Sequence, residues 1–355
     1  MAANRIFNHK VIIVVCLAVF MCGCAQQAQQ PPEASKPAGP PVVSKPVLSV
    51  AERAEPASVA IALKPTAGEQ TRYRIATHAS KSINWEGPVP EKKAFEENFN
   101  DEQVEMVITQ RIQSVDSEGR AAVQVTIDQM KYRAIIKSKP AVDFDSTRQS
   151  DANSPLAVLM RQRYTIEVEP NNYVSSVSGL GAVVAGVSGQ TAADRTGQGV
   201  LSQKAAAERH MTLLLPRTGE EQLKLGDKWS RVKTFEFGLM GLKSYEKIYT
   251  LKEIRDEAGH QIAAIDMSAI PTSEVEEKYR NQQGADFPKK FDTDETYKGS
   301  GEVDLTAGCI NSYREKLQTN WTAAFPPNHG ATEDVNEPVV LRMTAAREYN
   351  LERIK

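Results

Sequence analysis

Two carboxylates one residue apart, in the run Asp143-Phe144-Asp145-Ser146-Thr147, have the spacing at which one aspartate could act as nucleophile and the next as acid/base in phosphoryl transfer. Such a loop works at the carboxyl end of a strand in a parallel α/β sheet, with a lysine and further acids downstream. The surrounding sequence does not alternate strand and helix patterns in that way. We therefore interpret this run as a solvated loop after a strand at Tyr132 to Lys137, and we predict no catalytic residue in it.

The remaining polar clusters lack the spacing of a metal, phosphate or nucleophilic site. Acidic groups at 274–277 and 292–295 lack the glycine-spaced loop of a calcium site, and the glycine-rich stretch 179–199 lacks a Gly-Lys-Ser/Thr ending. We expect solvent-facing or locally hydrogen-bonded histidines rather than metal ligands at His78, His210, His260 and His329. No serine, cysteine or carboxylate has recognisable catalytic partners, so a hydrolase is disfavoured. The sequence predicts a non-enzymatic protein without cofactor or metal.

The first residues have the parts of a secretory signal. Arg5 and Lys10 form a basic start, and an apolar run extends from Val11 to Met21. A membrane-spanning helix needs about 20 apolar residues, which is more than this run supplies. We therefore expect residues 1–23 to be removed as a signal peptide, rather than retained as a transmembrane anchor.

Cys24 is the candidate modification site. The motif Met21, Cys22 and Gly23 before it resembles the lipobox of bacterial lipoproteins. That resemblance implies cleavage before Cys24, lipid attachment to its thiol and anchoring to a membrane of the cell envelope. Ala25, in place of aspartate, implies the outer membrane, with the protein facing the periplasm. The alternative is an ordinary secreted protein cleaved near Gly23 or Ala25.

Charge and cysteine content limit the other interpretations. Loss of residues 1–23 removes two basic residues and takes the formal net charge from −2 to −4. No basic stripe is present, so we expect no nucleic-acid partner. Only Cys24 and Cys309 remain after cleavage, so no intrachain disulfide is expected and the fold must depend on its core. We interpret Cys309 as a buried small hydrophobe, with a reactive thiol as the alternative.

The patterning predicts an α+β, β-rich fold: a duplicated, curved antiparallel sheet, half-barrel-like, with a few helices packed on one face. Three landmarks occur twice in the same order, which indicates the duplication. They are Gly68-Glu69 with Gly226-Asp227, the turns 115–119 with 254–259, and 166–168 with 303–305. A helix is expected over Val200 to Leu215, and a short one over Asn153 to Gln162. The predicted organisation is a signal peptide (1–23), a lipidated cysteine and disordered Pro/Gln/Ala-rich tether (24–57), a first β-rich half (58–180), a Gly-rich connector and helix (181–220) and a second β-rich half (221–355).

Several of these motifs together resemble an uncharacterised family of bacterial envelope lipoproteins. They are Gly68-Glu69, Val115-Asp116 with Gly119, Gly179-Leu180 and Gly226-Asp227-Lys228-Trp229, and they cover roughly Ala60 to Tyr313. The first copy departs from the pattern because Tyr73 is displaced. The resemblance implies no known activity. We expect a binding or assembly role with an envelope protein as partner. The alternative is a carrier of lipid or another hydrophobic ligand in a half-barrel cavity, which rests on analogy of fold.

Overall fold

The computed structural model describes residues 58–87, 96–186, 191–216, 221–280, 291–325 and 338–355. The predicted signal peptide, the Met21-Cys22-Gly23 motif, Cys24 and the tether lie outside these ranges. Within them, no helix has the length and apolar character that crossing a membrane requires.

Strands make up most of the described chain. They are β1 (Val59–Ala60), β2 (Gln70–Glu86), β3 (Asn98–Val115), β4 (Ala121–Ile136), β5 (Lys139–Asp145), β6 (Arg163–Val168), β7 (Val174–Ser178), β8 (Gln222–Leu223), β9 (Lys228–Glu236), β10 (Leu242–Glu257), β11 (His260–Thr272), β12 (Asp292–Asp304), β13 (Cys309–Phe325) and β14 (Val339–Ile354). The α-helices are α1 (Leu180–Gly186), α2 (Ala192–Val200) and α3 (Gln203–His210). Single 3₁₀ turns lie at Gln149–Asp151, Pro155–Leu159, Gly238–Met240 and Glu277–Tyr279.

Alternation of apolar and polar residues decides which face of each strand is buried. In β4, Val123, Val125 and Ile127 are buried and the residues between them are more exposed. A bulge at Asp128 adds one residue to β4 in its ladder with β3. Before the bulge the odd-numbered residues of β4 point inward, and beyond it the even-numbered ones do, beginning with Met130. The long strands can therefore keep one apolar face although their sequence period changes along the way.

One antiparallel sheet contains almost all of these strands, in the order β7-β6-β4-β3-β2-β14-β13-β12-β11-β10-β9, with β5 paired to β4. No backbone pairing joins β7 to β9 within the described ranges, so the sheet is open. β1 and β8 form a separate two-stranded pair. The prediction of a β-rich fold with a large antiparallel sheet and few helices is confirmed.

The two halves repeat the same strand order within this sheet. The order β2-β3-β4-β6-β7 recurs as β9-β10-β11-β12-β13, and β14 pairs with both β2 and β13. The turns before the first strands are also alike. Gly68-Glu69 exchanges two backbone hydrogen bonds with Ile112, of 2.8 and 3.0 Å, and Gly226-Asp227 exchanges two of the same lengths with Leu251. The duplicated units thus share one continuous sheet.

Residues 200–215, which we call the plug, pack against one face of the sheet, here called the inner face. α3 begins after Ser202, whose hydroxyl accepts a hydrogen bond from the Ala205 amide. Within the plug, Leu201, Leu213 and Leu215 are fully buried. Burial of these leucines on either side of α3 fixes the plug, because a helix of eight residues is not stable through intrinsic propensity alone.

Hydrogen bonds connect the plug to both halves of the sheet. The Trp229 indole of β9 donates to the Leu214 carbonyl at 2.9 Å, and the Tyr349 hydroxyl of β14 donates to the Arg209 carbonyl at 2.8 Å. From β6, the Tyr164 hydroxyl lies 2.7 Å from Nε2 of His210. The inner face is therefore filled by part of the chain itself.

Candidate functional site

A cleft remains between the plug and the inner faces of both halves, with a volume of about 310 Å³. We call it the inner cleft. Its buried lining residues come from the plug and from four strands, and the half-buried Phe235 of β9 joins them; the buried ones are Val200, Arg209, Thr212, Lys247, Tyr297, Leu317 and Tyr349. Phe235 pairs with Lys243, which is four residues from Lys247 and therefore lies on the same face of β10. The inner cleft thus has aromatic walls with a few buried polar groups.

A buried ion pair forms the floor of the inner cleft. The Nζ of Lys247 lies 2.6 Å from Oε2 of Glu315, which also accepts a 2.6 Å hydrogen bond from the Tyr313 hydroxyl. The same Nζ lies 5.6 Å from the ring centre of Tyr297. Burial alone would lower the pKa of Lys247, but the Glu315 carboxylate and the surrounding tyrosines raise it well above its ordinary value. Lys247 is therefore a permanent cation, unsuited to act as a neutral base or amine nucleophile.

Arg209 is a buried cation beside the inner cleft. Only 8% of the residue is exposed, and its Nη2 donates to the Val200 carbonyl at 2.6 Å. No carboxylate in the described ranges pairs with it; the Tyr164 hydroxyl interacts with its guanidinium, and its Nη1 makes no hydrogen bond of good geometry. Burying an unpaired charge costs several kcal/mol, at least in order of magnitude, so buried arginines are ordinarily paired.

Two hydroxyls near the inner cleft make no hydrogen bond of good geometry. The Oγ1 of Thr212 and the OH of Tyr297 are closed to solvent, and they interact with the Tyr349 hydroxyl and the Glu315 carboxylate. A buried donor that is left unsatisfied costs about 1–3 kcal/mol. The three donor atoms therefore belong to the packed core beside the cleft rather than to its open surface.

A neighbouring polar layer, by contrast, is fully paired. Glu295 accepts from Nζ of Lys243 at 2.7 Å and from the Tyr245 hydroxyl at 2.7 Å. The Tyr245 hydroxyl also lies 3.3 Å from that of Thr319. Among the described residues, the buried Tyr249 hydroxyl and Trp321 indole also lack a hydrogen bond of good geometry, and neither residue lines the inner cleft.

A second, smaller cavity lies on the other side of α3, with a volume of about 90 Å³. Its lining is largely apolar and includes Tyr73, Ile112, Ile166 and Leu351. Small-molecule sites usually occupy about 300–1,000 Å³, so this cavity is too small for an acyl chain while the plug is in place.

His210 closes the smaller cavity. Its ring is buried between the Tyr164 hydroxyl and the Gln110 amide, 3.2 Å from Nδ1. Burial, together with the nearby charge of Arg209, lowers the pKa of His210 to about 3. The sequence predicts a solvent-facing or locally hydrogen-bonded histidine at this position, and this prediction is wrong. The structure places it in the core, bonded to distant strands.

The residues of the Asp143 to Thr147 run take part in local ion pairs. Asp143 and Asp145 lie in strand β5 rather than in a loop, and β5 pairs antiparallel with β4. The Arg148 guanidinium lies 2.9 Å from Asp143, and Asp145 accepts from the hydroxyl and amide of Thr147 at 2.7 and 2.9 Å. The two Thr147 hydrogen bonds lower the pKa of Asp145.

The other sequence candidates are not brought together. The His78 and His260 rings each lie against one carboxylate, at 2.6 Å from Asp101 and 2.8 Å from Asp304, and His329 falls outside the described residues. The described ranges contain no group of three or more side chains placed to hold a metal ion. Cys309 is half-buried, and burial raises the pKa of its thiol to about 11.

Neither Arg209 nor Lys247 is among the residues that the sequence predicts as functional. One signal was available: Arg209 lies at helical spacing from Ala205 and Ala206, in the middle of the expected helix. A charge on the buried face of a helix is a departure that marks functional sites.

Comparison with known proteins gives little further information. No protein-family model matches the sequence, and no curated protein matches it. The chain is similar to a solved structure of lipid-protein interactions in lipovitellin, at 10% identity and a TM-score of 0.39. The match covers 82% of this chain and 25% of the lipovitellin chain, so the present chain corresponds to about a quarter of that protein. So weak a likeness carries no inference about ligand or partner.

Proposed function

We propose that this chain is a non-catalytic binding protein of the bacterial cell envelope that holds a small hydrophobic or amphipathic ligand in the inner cleft. The supporting observation is the composition of that cleft, in which aromatic walls surround a buried Lys247–Glu315 ion pair. Pockets with apolar linings and a few convergent polar groups are the usual form of a small-molecule site.

The size of the inner cleft limits the ligand. Its volume of about 310 Å³ lies at the lower end of the usual range for such sites. A ligand of short chain or single ring therefore fits, whereas a long acyl chain requires the plug to move. The half-barrel carrier, given above as the alternative to a binding or assembly role, is thus proposed here in a restricted form, with the plug as one wall of the site.

The protonation states support binding without catalysis. Burial comes first among the causes that raise the pKa of Tyr297 and of Tyr349, and both phenols stay protonated at neutral pH. Lys247 stays charged for the reason given above. General acid–base catalysis needs a group whose pKa lies near the working pH, and these three residues do not supply one.

Membrane attachment through Cys24 completes the proposal. The expected lipid on Cys24 and the tether at 24–57 would hold the binding body near a membrane of the envelope, with the outer membrane as the expected site. Mass spectrometry of protein extracted from membranes should find an acylated N-terminal Cys24 and no residues 1–23. An intact signal or an unmodified Cys24 would contradict the anchor.

The test of the binding site uses the full chain carrying Cys24→Ser, which cannot be acylated at that position. The neutral fluorophore N-phenyl-1-naphthylamine should bind saturably. Thr77→Trp, which fills the inner cleft from β2, should weaken binding at least about tenfold, whereas Arg133→Trp at an exposed position of β4 should not.

Other apolar parts of the chain, including the segment Val11 to Met21, are the same in both variants and do not affect this comparison. Ala205→Trp, from the plug side of the cleft, is the second blocking variant if Thr77→Trp does not fold. Equal binding by the blocking and control variants, or no saturable binding, would overturn the proposed site.

A further inference from the structure

We infer that the ligand of the inner cleft carries a hydrocarbon chain that continues into a neighbouring cavity on the same face of the sheet. This inference rests on the proposed binding function and adds to it the chemical class of the ligand, a single-chain amphipath of medium length. The neighbouring cavity has a volume of about 320 Å³, and we call it the distal cavity. Its lining residues include Ala79, Lys81, Tyr132, Ala134, Phe237 and Ala345.

The distal cavity and the inner cleft lie on the same face. Ala345 of β14 is four positions from Tyr349, which lines the inner cleft, and Ala79 of β2 is two positions from Thr77, which also lines it. Side chains separated by an even number of positions in a regular strand point to the same face. The two cavities are therefore neighbouring parts of the inner face, with the distal cavity farther from the plug.

Three of the described residues border both cavities, namely Arg347, Ala79 and Glu102. They lie in one row across the sheet, because Arg347 pairs with Ala79 and Ala79 pairs with Glu102. Arg347 and Glu102 are exposed, so their charged ends can extend into water while their aliphatic parts lie against the sheet. The small side chain of Ala79 between them leaves a passage from one cavity to the other.

Small side chains create the space of the distal cavity. Ala79, Ala134 and Ala345 come from β2, β4 and β14, near the centre of the sheet. Closer to the plug, the same faces of β4 and β14 carry the buried Tyr132 and Tyr349. Protein interiors are normally close-packed. The change from tyrosine to alanine along these strands therefore leaves a space that the described residues do not fill.

The turn after β9 supplies an aromatic wall. Phe237 is buried, with its ring centre 5.2 Å from that of Trp321, and the Arg347 guanidinium lies 5.7 Å from the Phe237 ring centre. A Cβ placed on Gly238 would lie 4.0 Å from Nζ of Lys81 on β2. These contacts hold the turn close to β2 and β14, so this wall of the distal cavity is fixed by packing.

The width of the distal cavity sets the length of the chain. From β14 through β2 and β3 to β4 there are three strand spacings, or about 14 Å in total. A carbon–carbon bond is about 1.5 Å long, so an extended chain of about ten carbons has a comparable length. The ligand class is therefore a single-chain amphipath of medium length, longer than the inner cleft alone accommodates.

The experiment measures displacement of N-phenyl-1-naphthylamine from the full Cys24→Ser chain by hexan-1-ol, octan-1-ol and decan-1-ol. Burial of one more methylene group tightens binding by up to about fourfold. Each step of two methylenes should therefore tighten binding at least about fivefold, and the increase should continue from octan-1-ol to decan-1-ol.

Lys81→Trp fills the distal cavity from β2 without entering the inner cleft. In this variant decan-1-ol should bind within about twofold of octan-1-ol, and hexan-1-ol should bind as in the parent chain. Ala345→Leu, which fills the same space from β14, is the second blocking variant if Lys81→Trp does not fold. Arg133→Trp, at an exposed position of β4, is the matched control and should keep the full increase with chain length.

The outcomes separate this inference from the proposed function. Decan-1-ol binding no tighter than octan-1-ol in the parent chain, with fluorophore binding still sensitive to Thr77→Trp, would overturn the inference and leave the binding function standing. An increase with chain length that is the same in the blocking variants and the control would also overturn it. A blocking variant that weakens hexan-1-ol as much as decan-1-ol would contradict the division into two cavities. Absence of binding by the fluorophore and by all three alcohols would overturn both proposals.

Discussion

Leu213 of the plug packs directly over Gly301 of β12. A Cβ placed on Gly301 would lie 3.1 Å from Cδ2 of Leu213 and 2.9 Å from Cδ2 of Tyr313. The glycine is needed there for space and not for an unusual backbone conformation. Absence of a side chain at this one position lets the plug approach the second half closely enough to form one wall of the inner cleft.

Gly301→Ala should therefore destabilise the fold by about 1–3 kcal/mol through overpacking. Leu213→Ala alone should cost about 2–5 kcal/mol from the cavity it leaves, but the double variant should cost less than the sum of the two. Urea unfolding curves give these values.

Gly199→Ala is the control for this prediction, because nothing lies within 4 Å of a Cβ added there and α2 gains a better helix former. It should leave stability unchanged or raise it slightly. Strict additivity of Gly301→Ala and Leu213→Ala would show that the two residues are not in contact.

The strands and the repeat could be predicted because their signals are local. Alternation at Val123 to Ile127 predicts a strand because successive side chains of a strand point to opposite faces. The glycines at 68 and 226 predict turns because of their backbone freedom. The third landmark keeps its place in the strand register. Val123 and Ala263 each lie four residues after a turn glycine, Gly119 or Gly259, and they pair with Ile166 and Val303 respectively.

The position of the plug could not be predicted in this way. The pattern over Val200 to Leu215 predicts a single amphipathic helix, but α3 ends at His210 and the next residues extend across the inner face. The stretch expected to be helical over Asn153 to Gln162 is a 3₁₀ turn at Pro155–Leu159. Which surface covers an apolar segment is decided by contacts distant in sequence, such as Tyr349 with Arg209, and these have no local signature.

The buried histidine should make stability depend on pH. The pKa of His210 is lowered to about 3 in the folded chain, below its ordinary value of 6.5, so between these pH values the unfolded chain binds a proton that the folded chain does not. His210 thus stabilises the fold fully above pH 6.5, and the free energy of unfolding falls as the pH decreases below it, by about 1.4 kcal/mol per pH unit.

His210→Gln should remove this contribution. Urea unfolding of the variant between pH 6 and pH 4 should show a slope shallower by about 1.4 kcal/mol per pH unit than that of the natural chain. Both proteins should be compared at pH 8 as well, where the histidine is neutral in folded and unfolded chains alike. Parallel slopes across the acid range would contradict a buried neutral His210.

The Lys247–Glu315 pair should be costly to break and much less costly to replace. Lys247→Met leaves a buried carboxylate without its cation and should destabilise the protein by about 3–5 kcal/mol. Lys247→Met combined with Glu315→Leu removes both charges and should recover most of that loss, as measured by chemical denaturation.

Lys316–Glu348 gives a matched surface control, with a 2.7 Å separation but a far more exposed lysine. Lys316→Met should cost no more than about 1 kcal/mol because water screens the pair. A double variant at 247 and 315 as unstable as Lys247→Met would indicate that lost packing, rather than the unpaired charge, dominates.

Cys309 should react slowly with thiol reagents. Burial raises the pKa of this thiol to about 11, against the opposing effect of Arg353, whose Nη1 lies 2.9 Å from Sγ. Because only the thiolate is alkylated, iodoacetamide at pH 8 should modify Cys309 at about one hundredth of the rate of an ordinary cysteine of pKa near 8.5, or more slowly still.

Peptide mass spectrometry measures the modification of Cys309 separately from that of the other cysteines. Ser114→Cys, at an exposed position of β3, supplies the reference rate in the same molecule. Equal rates at positions 114 and 309 would contradict the buried thiol and restore Cys309 as a candidate reactive group.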